Sequence, residues 1–290
     1  MSILVAFFFF LGIIIVGIFP FPLLYGFSNL LKFIVYRIFG YRKKVVISNL
    51  QGSFPDMSRK EIEKISGKFY KNLADVFLES IKGFTMSRKQ IINRHKIINP
   101  QVIEEFYKSG QNVIGVTGHY NNWEWGSLSA SLQTNYNVVA LYKELNNKPI
   151  NRFVLWSRSR CGTTLASIKE TAATFEKYKN TKTVFLMAAD QGMQKHQTEW
   201  AYWVQFLNRE TPFLHGLEKY ARLYNMPVVY IDIQRVKRGF YTNELSVLTE
   251  NPLELQEGEL TKLYAQKLES IIRKQPENWL WSHRRFKYSR

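Results

Sequence analysis

His119 and Glu124 are the pair whose residue types and spacing could carry chemistry, in the run Gly118-His119-Tyr120-Asn121-Asn122-Trp123-Glu124. An imidazole that donates from one ring nitrogen to a carboxylate keeps the other nitrogen as a base. The carboxylate then stabilises the imidazolium that forms when this base takes a proton. The chemistry indicated is deprotonation of a hydroxyl or of water. On one α-helix, five positions would set the two side chains about 140° apart at 3.6 residues per turn, too far round to cooperate. Asn121 or Asn122 offers an N-cap between them, which puts Glu124 in the first turn of a helix running on through Trp125, Leu128 and Leu132. The free N–H groups there favour the ionised carboxylate, with His119 in the loop above it. A His-x4-Glu pair also arises by chance in many chains, so the elements that position it decide its weight.

The positioning element comes just before. Asn112-Val113-Ile114-Gly115-Val116-Thr117 is a short apolar run with β-branched residues, which reads as a buried strand delivering His119 to its carboxyl end. Open α/β sheets place their active sites at that end. Further strand candidates are Val138 to Tyr142, Thr183 to Ala188, Val228 to Ile233 and Leu245 to Leu248. Helical stretches at Ser167 to Lys177 and Gly216 to Leu223 fall between some of them, so the pattern is a mixed α/β sheet with crossover helices. Before this core, Ile62, Ile65, Phe69, Leu73, Val76, Phe77 and Ile81 recur at helical spacing between Pro55 and Phe84, and Ser58 with Glu61 makes a capping box at the start. A last amphipathic helix occupies Leu260 to Lys274.

The first 31 residues carry no charged side chain. Ile3 to Phe19 is an apolar run that would reach about 25 Å as a helix, close to a bilayer core, and Pro20 and Pro22 then bend or end it. No basic n-region precedes it, which disfavours a secretory signal. The expectation is an uncleaved membrane anchor over 1–31, spanning the bilayer or lying deep in one leaflet. Lys32, Arg37, Arg42, Lys43 and Lys44 follow, and the positive-inside rule puts the remainder on the cytoplasmic side. With no linker or repeat visible, 32–290 reads as one domain, helical over about 32–111 and α/β over 112–290.

A net charge of +17 suits nucleic acid or an anionic membrane surface, and the anchor favours the membrane. No zinc finger, RNA-binding sheet motif or basic zipper supports nucleic acid. The single cysteine, Cys161, excludes an internal disulfide framework and has no nucleophile signature. Five scattered histidines without His-Glu-x-x-His indicate no metal site. Glycine-rich phosphate loops and the Gly-x-Ser-x-Gly elbow are missing, which counts against a nucleotide enzyme or a covalent serine enzyme, and no cofactor is expected.

Three further stretches complete a resemblance. Ala189-Asp190-Gln191 follows a later strand, Arg42-Lys43-Lys44-Val45-Val46-Ile47-Ser48-Asn49-Leu50 precedes Phe54-Pro55, and the chain closes on Pro276-Glu277-Asn278-Trp279-Leu280-Trp281-Ser282-His283-Arg284-Arg285-Phe286-Lys287. Together with Gly-His-x4-Glu they resemble the late lipid A biosynthesis acyltransferases, of the lysophospholipid acyltransferase superfamily, along nearly the whole chain. The resemblance implies transfer of a fatty acyl chain from acyl carrier protein to a hydroxyl of a lipid A precursor, an anionic glycolipid, at the cytoplasmic face of a Gram-negative inner membrane. It implies His119 as general base, Glu124 as its orienting partner, and Asp190 at the place of a functional aspartate. Arg158 falls where the family has a functional arginine, with Arg160 a close second, for the oxyanion or for a phosphate of the acceptor. The chain departs from the pattern at Gly192, where members often carry a second acid, and in the Asn-Asn-Trp filling between His119 and Glu124. The alternatives are a related acyltransferase acting on another lysolipid or glycolipid, and a non-enzymatic basic protein of the membrane surface. Trp279 and Trp281 are expected as packing or interfacial anchors.

Overall fold

The β-branched apolar runs form the middle of one sheet, because strands covered on both faces need side chains that pack at every position. The structure, a computed structural model, describes residues 2–288. Helices come first: α1 (Ser2–Ile18), α2 (Phe21–Phe33), α3 (Lys43–Ser53), α4 (Arg59–Gly83) and α5 (Arg88–Arg94). The sheet-forming part runs through β1 (His95–Ile97), α6 (Gln101–Lys108), β2 (Val113–Thr117), α7 (Gly126–Ser129), β3 (Asn137–Tyr142), α8 (Lys148–Ser159), β4 (Thr164–Ser167), α9 (Thr171–Tyr178) and β5 (Thr183–Ala188). It continues through β6 (Ala201–Phe206), β7 (Arg209–Leu214), α10 (Gly216–Leu223), β8 (Val228–Lys237), β9 (Phe240–Thr249) and α11 (Glu259–Lys274).

The seven-stranded sheet has the order β1-β9-β8-β2-β5-β3-β4. Every pair is parallel except the β8–β9 hairpin, so the mixed α/β expectation holds. From β2 the chain moves to β3 and β4 on one side, returns to β5, and then crosses to β8 on the other side. The carboxyl end of β2 is therefore a switch point where loops diverge and leave a crevice. The five strands read from sequence all lie in this sheet. Two short edge strands, β1 and β4, extend it, and a separate hairpin of β6 and β7 was not foreseen.

Helix α4 begins as read: Ser58 N–H donates to Glu61 Oε2 at 2.8 Å, and Ser58 Oγ accepts from the Glu61 amide at 3.4 Å. Its Ile62, Phe69 and Tyr70 join the main core, which Trp279 and Trp281 also enter. Helix α3 meets the C-terminal run directly. Asn49 Nδ2 donates to the carbonyls of Trp281 and His283, each at 2.9 Å, and Arg42 Nη1 donates to that of Ser282 at 2.9 Å.

The expectation of a spanning N-terminal segment is corrected. Among the described residues no helix is long and apolar enough to cross a membrane. Helix α1 stops after 17 residues, because Pro20 cannot continue the hydrogen-bond ladder and Lys82 Nζ caps the carbonyls of Gly17 at 2.5 Å and Phe19 at 2.8 Å. Phe9 then meets the edges of Phe84 and Phe153, at ring distances of 6.0 and 6.1 Å.

Candidate active site

The register of β2 on β5 builds the centre. Thr117 pairs with Ala188, so the residues two positions beyond each strand, His119 and Asp190, emerge side by side. Asp190 Oδ1 lies 2.5 Å from His119 Nδ1, and its Oδ2 accepts from the His119 backbone N–H at 2.9 Å. Trp279 Nε1 donates to the same Oδ2 at 2.8 Å. Gly118 permits this approach, since a Cβ there would stand 3.2 Å from Asp190 Oδ2 and 2.7 Å from Leu268 Cδ1.

Asp190 is 2% exposed and His119 12%, so the pair sits in a medium where charges interact strongly. Burial works against the charge on each partner, but the attraction between them outweighs it. The Asp190 charge and hydrogen bond, with the Glu124 charge, hold the His119 pKa above its ordinary value. The imidazolium, the His119 and Trp279 hydrogen bonds hold Asp190 well below the usual carboxylate range. An ionised Asp190 fixes the proton of neutral His119 on Nδ1 and leaves the Nε2 lone pair as an acceptor. Gln191 Nε2 lies 2.7 Å from that nitrogen.

Glu124 has another partner. Its carboxylate pairs with Arg158 Nη2, so the orienting place given to it from the sequence is filled by Asp190. The local structure is otherwise as read: Asn122 Oδ1 caps the Trp125 N–H at 3.2 Å, and Glu124 lies in the short 3₁₀ turn that leads into α7. Glu124 and Arg158 are 29% and 27% exposed and stand with His119, Trp123 and Gln191 at the mouth of one cavity. Arg160 is directed elsewhere, its Nη2 donating to the Gly83 carbonyl at 2.7 Å and tying α8 to the end of α4.

Three residues were missed as parts of the site. Trp279 holds Asp190, and its buried indole N–H, which needs a partner, was the available signal. Gln191 had none beyond its place next to Asp190. Glu79 is fully buried on α4 and gathers Asn122 Nδ2 at 2.9 Å, Tyr241 OH at 2.6 Å and Tyr25 OH at 2.9 Å. Burial pushes its pKa up. It anchors the loop between His119 and Glu124, so Glu79→Ala, which strands those donors, is expected to cost about 3 kcal/mol of stability, read from the urea midpoint.

Below the mouth, a cavity of about 390 Å³ runs along one face of the sheet. Alternate residues of each strand line it in three rungs: Tyr142, Ala188, Thr117 and Ile231 uppermost; Ala140, Leu186, Gly115 and Val229 in the middle; Val138, Val184 and Val113 lowest. Apart from a side wall with His95, Ser129 and Asn243, the lining is mostly apolar. Burial lowers the His95 pKa to about 4, so that ring stays neutral.

A carboxylate-oriented base at the mouth of an apolar slot is the arrangement of an enzyme that activates a hydroxyl beside a hydrocarbon chain. The sequence profile of the bacterial lipid A biosynthesis acyltransferases matches residues 1–288, and the chain belongs to that family. It is also similar to the lipid A biosynthesis lauroyltransferase of Escherichia coli (strain K12), 22% identical over 269 residues that cover 92% of this chain and 86% of the relative.

Proposed function

We propose that the protein moves a fatty acyl chain from an acyl carrier protein thioester to a hydroxyl of a lipid A precursor, with His119 and Asp190 as the base pair. The acceptor hydroxyl takes the place of the Gln191 amide at His119 Nε2 and gives up its proton there. Its oxygen bonds to the thioester carbonyl carbon, the C–S bond breaks, and the imidazolium returns the proton to the leaving thiolate. The donor is already activated, so no covalent enzyme intermediate is needed. The observation that carries this reading is the His119–Asp190 pair opening on an apolar slot; family membership supports lipid A as the acceptor. Arg158, held by Glu124 at the mouth, supplies positive charge where the carbonyl oxygen becomes anionic or where an acceptor phosphate docks.

We propose the cytoplasmic face of the inner membrane as the place of the reaction. The outer faces of α1 and α2 support contact with a membrane surface, with Phe7, Phe8, Ile14, Ile18, Phe27 and Phe33 each 45% exposed or more. Such a surface suits helices lying in the headgroup region. Beside it, Lys32, Arg37, Lys43, Lys60, Lys64 and Lys71 line a cleft with Glu63 as its one acid, which suits anionic lipid.

Mass spectrometry of lipid A and total lipids from the host with and without the gene tests the assignment. Loss of one acyl chain from lipid A is expected. Intact lipid A with another lipid under-acylated would move the acceptor to a different lysolipid, and unchanged lipids would overturn acyl transfer. At the mouth, Glu124→Gln and Arg158→Lys are each expected to lower kcat/KM by roughly 10–100-fold, with the double variant little worse than either, because the two act as a unit.

A further inference from the structure

The middle rung of the slot contains one residue without a side chain. Gly115 sits at the centre of β2, between Leu186 of β5 and Val229 of β8, and lines the cavity with both. A Cβ built there would stand 2.8 Å from Leu186 Cδ2, 3.1 Å from Ile231 Cδ1 and 3.3 Å from Val184 Cγ1. Those side chains also face the cavity. They lean across the glycine, and any side chain placed at 115 must push them up into the slot.

Depth gives this position a meaning. Gly115 lies four residues before His119, two of them past the end of β2; at 3.3 Å per extended residue that is about 13 Å, and Val113 lies about 20 Å away. An extended, staggered hydrocarbon whose thioester carbon is at His119 therefore passes Gly115 at roughly its tenth carbon and approaches the Val113 rung at roughly its fifteenth. Resting on the acyl-transfer reading, we infer that Gly115 is the gauge of acyl-chain length: its missing side chain keeps the slot open past the middle rung, and filling it shortens the chain the enzyme accepts.

The clash falls on the ends of flexible side chains with empty space in front of them, not on backbone. Gly115→Ala and Gly115→Val should therefore fold, and a strand interior favours a β-branched residue over glycine. Both variants are tested as purified proteins with acyl carrier protein loaded in turn with saturated chains of about 8 to 16 carbons, a span set by the two depths above. The kcat/KM for each chain is read by product mass, and the melting temperature is followed in parallel. The ratio of long-chain to short-chain kcat/KM is expected to fall about tenfold in Gly115→Ala and further in Gly115→Val, with the short chains still transferred. Adding Leu186→Ala to Gly115→Ala returns the displaced volume and is expected to restore use of the long chains, which a merely destabilised protein would not do.

Variants that keep the wild-type chain-length profile, or lose every chain length by one factor without rescue by Leu186→Ala, would overturn the gauge and leave acyl transfer standing. A wild-type protein that transfers none of the chains would remove acyl transfer, and the gauge with it.

Discussion

His119→Ala is expected to lower kcat for acyl transfer by roughly 10³–10⁴-fold while leaving the fold intact. Among the described residues the ring is the only group at the mouth with both a lone pair directed at the proposed acceptor position and a buried carboxylate behind it. Its removal takes away the proton acceptor and, after C–S cleavage, the proton donor to the thiolate. KM for the acyl donor should change little, since the rungs that hold the chain are untouched. Stability is expected to fall modestly, because Asp190 loses its cation but keeps the His119 backbone and Trp279 hydrogen bonds. Steady-state kinetics with a melting curve check both parts.

Asp190→Asn should cost roughly as much in kcat, about 10³–10⁴-fold, because an amide can donate to Nδ1 and so turn the lone pair away from the acceptor. Its signature is in the pH profile. The His119 pKa is raised in the folded enzyme chiefly by the charge of Asp190 and its hydrogen bond, acting against burial. The base works only when neutral, so wild-type activity falls as pH drops through that raised pKa. Without the carboxylate, burial dominates, the His119 pKa falls, and the acid limb of the residual activity moves to lower pH. A limb that stays in place would mean that the titrating group is not His119. Glu124→Gln, which removes only a more distant charge, is expected to shift the limb less.

The difference between Glu124 and Asp190 shows what local spacing can and cannot carry. His119 was legible because an apolar β-branched run ends just before it, and Glu124 because an asparagine cap precedes it. The partner of the histidine was not, because Asp190 is 71 residues away in sequence and reaches it only through the parallel pairing of β2 with β5. Asp190 was singled out by family resemblance, with its contact to His119 unforeseen. The two arginines separated for a similar reason: Arg158 lies in the last turn of α8 and faces the mouth, whereas Arg160 is its C-cap and turns to the end of α4.

The hairpin of β6 and β7 was hidden by its turn. Leu207 and Asn208 both adopt left-handed backbone, at φ 52° and 62°, and a leucine there gives no turn signal. Its burial in the main core offsets that strain. At the N-terminus, hydrophobicity alone suggested a span, but Pro20 and Lys82 divide the segment into two helices folded onto α4. Periodicity also could not separate lining from core, since Val113, Gly115, Val184 and Leu186 have the composition of any buried strand. Only the register reveals a slot.

The most direct measurement of the central claim combines purified protein, a lipid A precursor and acyl-loaded carrier protein, with the mass of the lipid followed in time for wild type and His119→Ala. The account predicts that the wild type adds one ester-linked acyl chain and that His119→Ala adds it roughly a thousandfold more slowly. A lipid that gains its chain equally fast with His119→Ala would contradict the base assigned here, and one that gains none with the wild type would contradict the reaction.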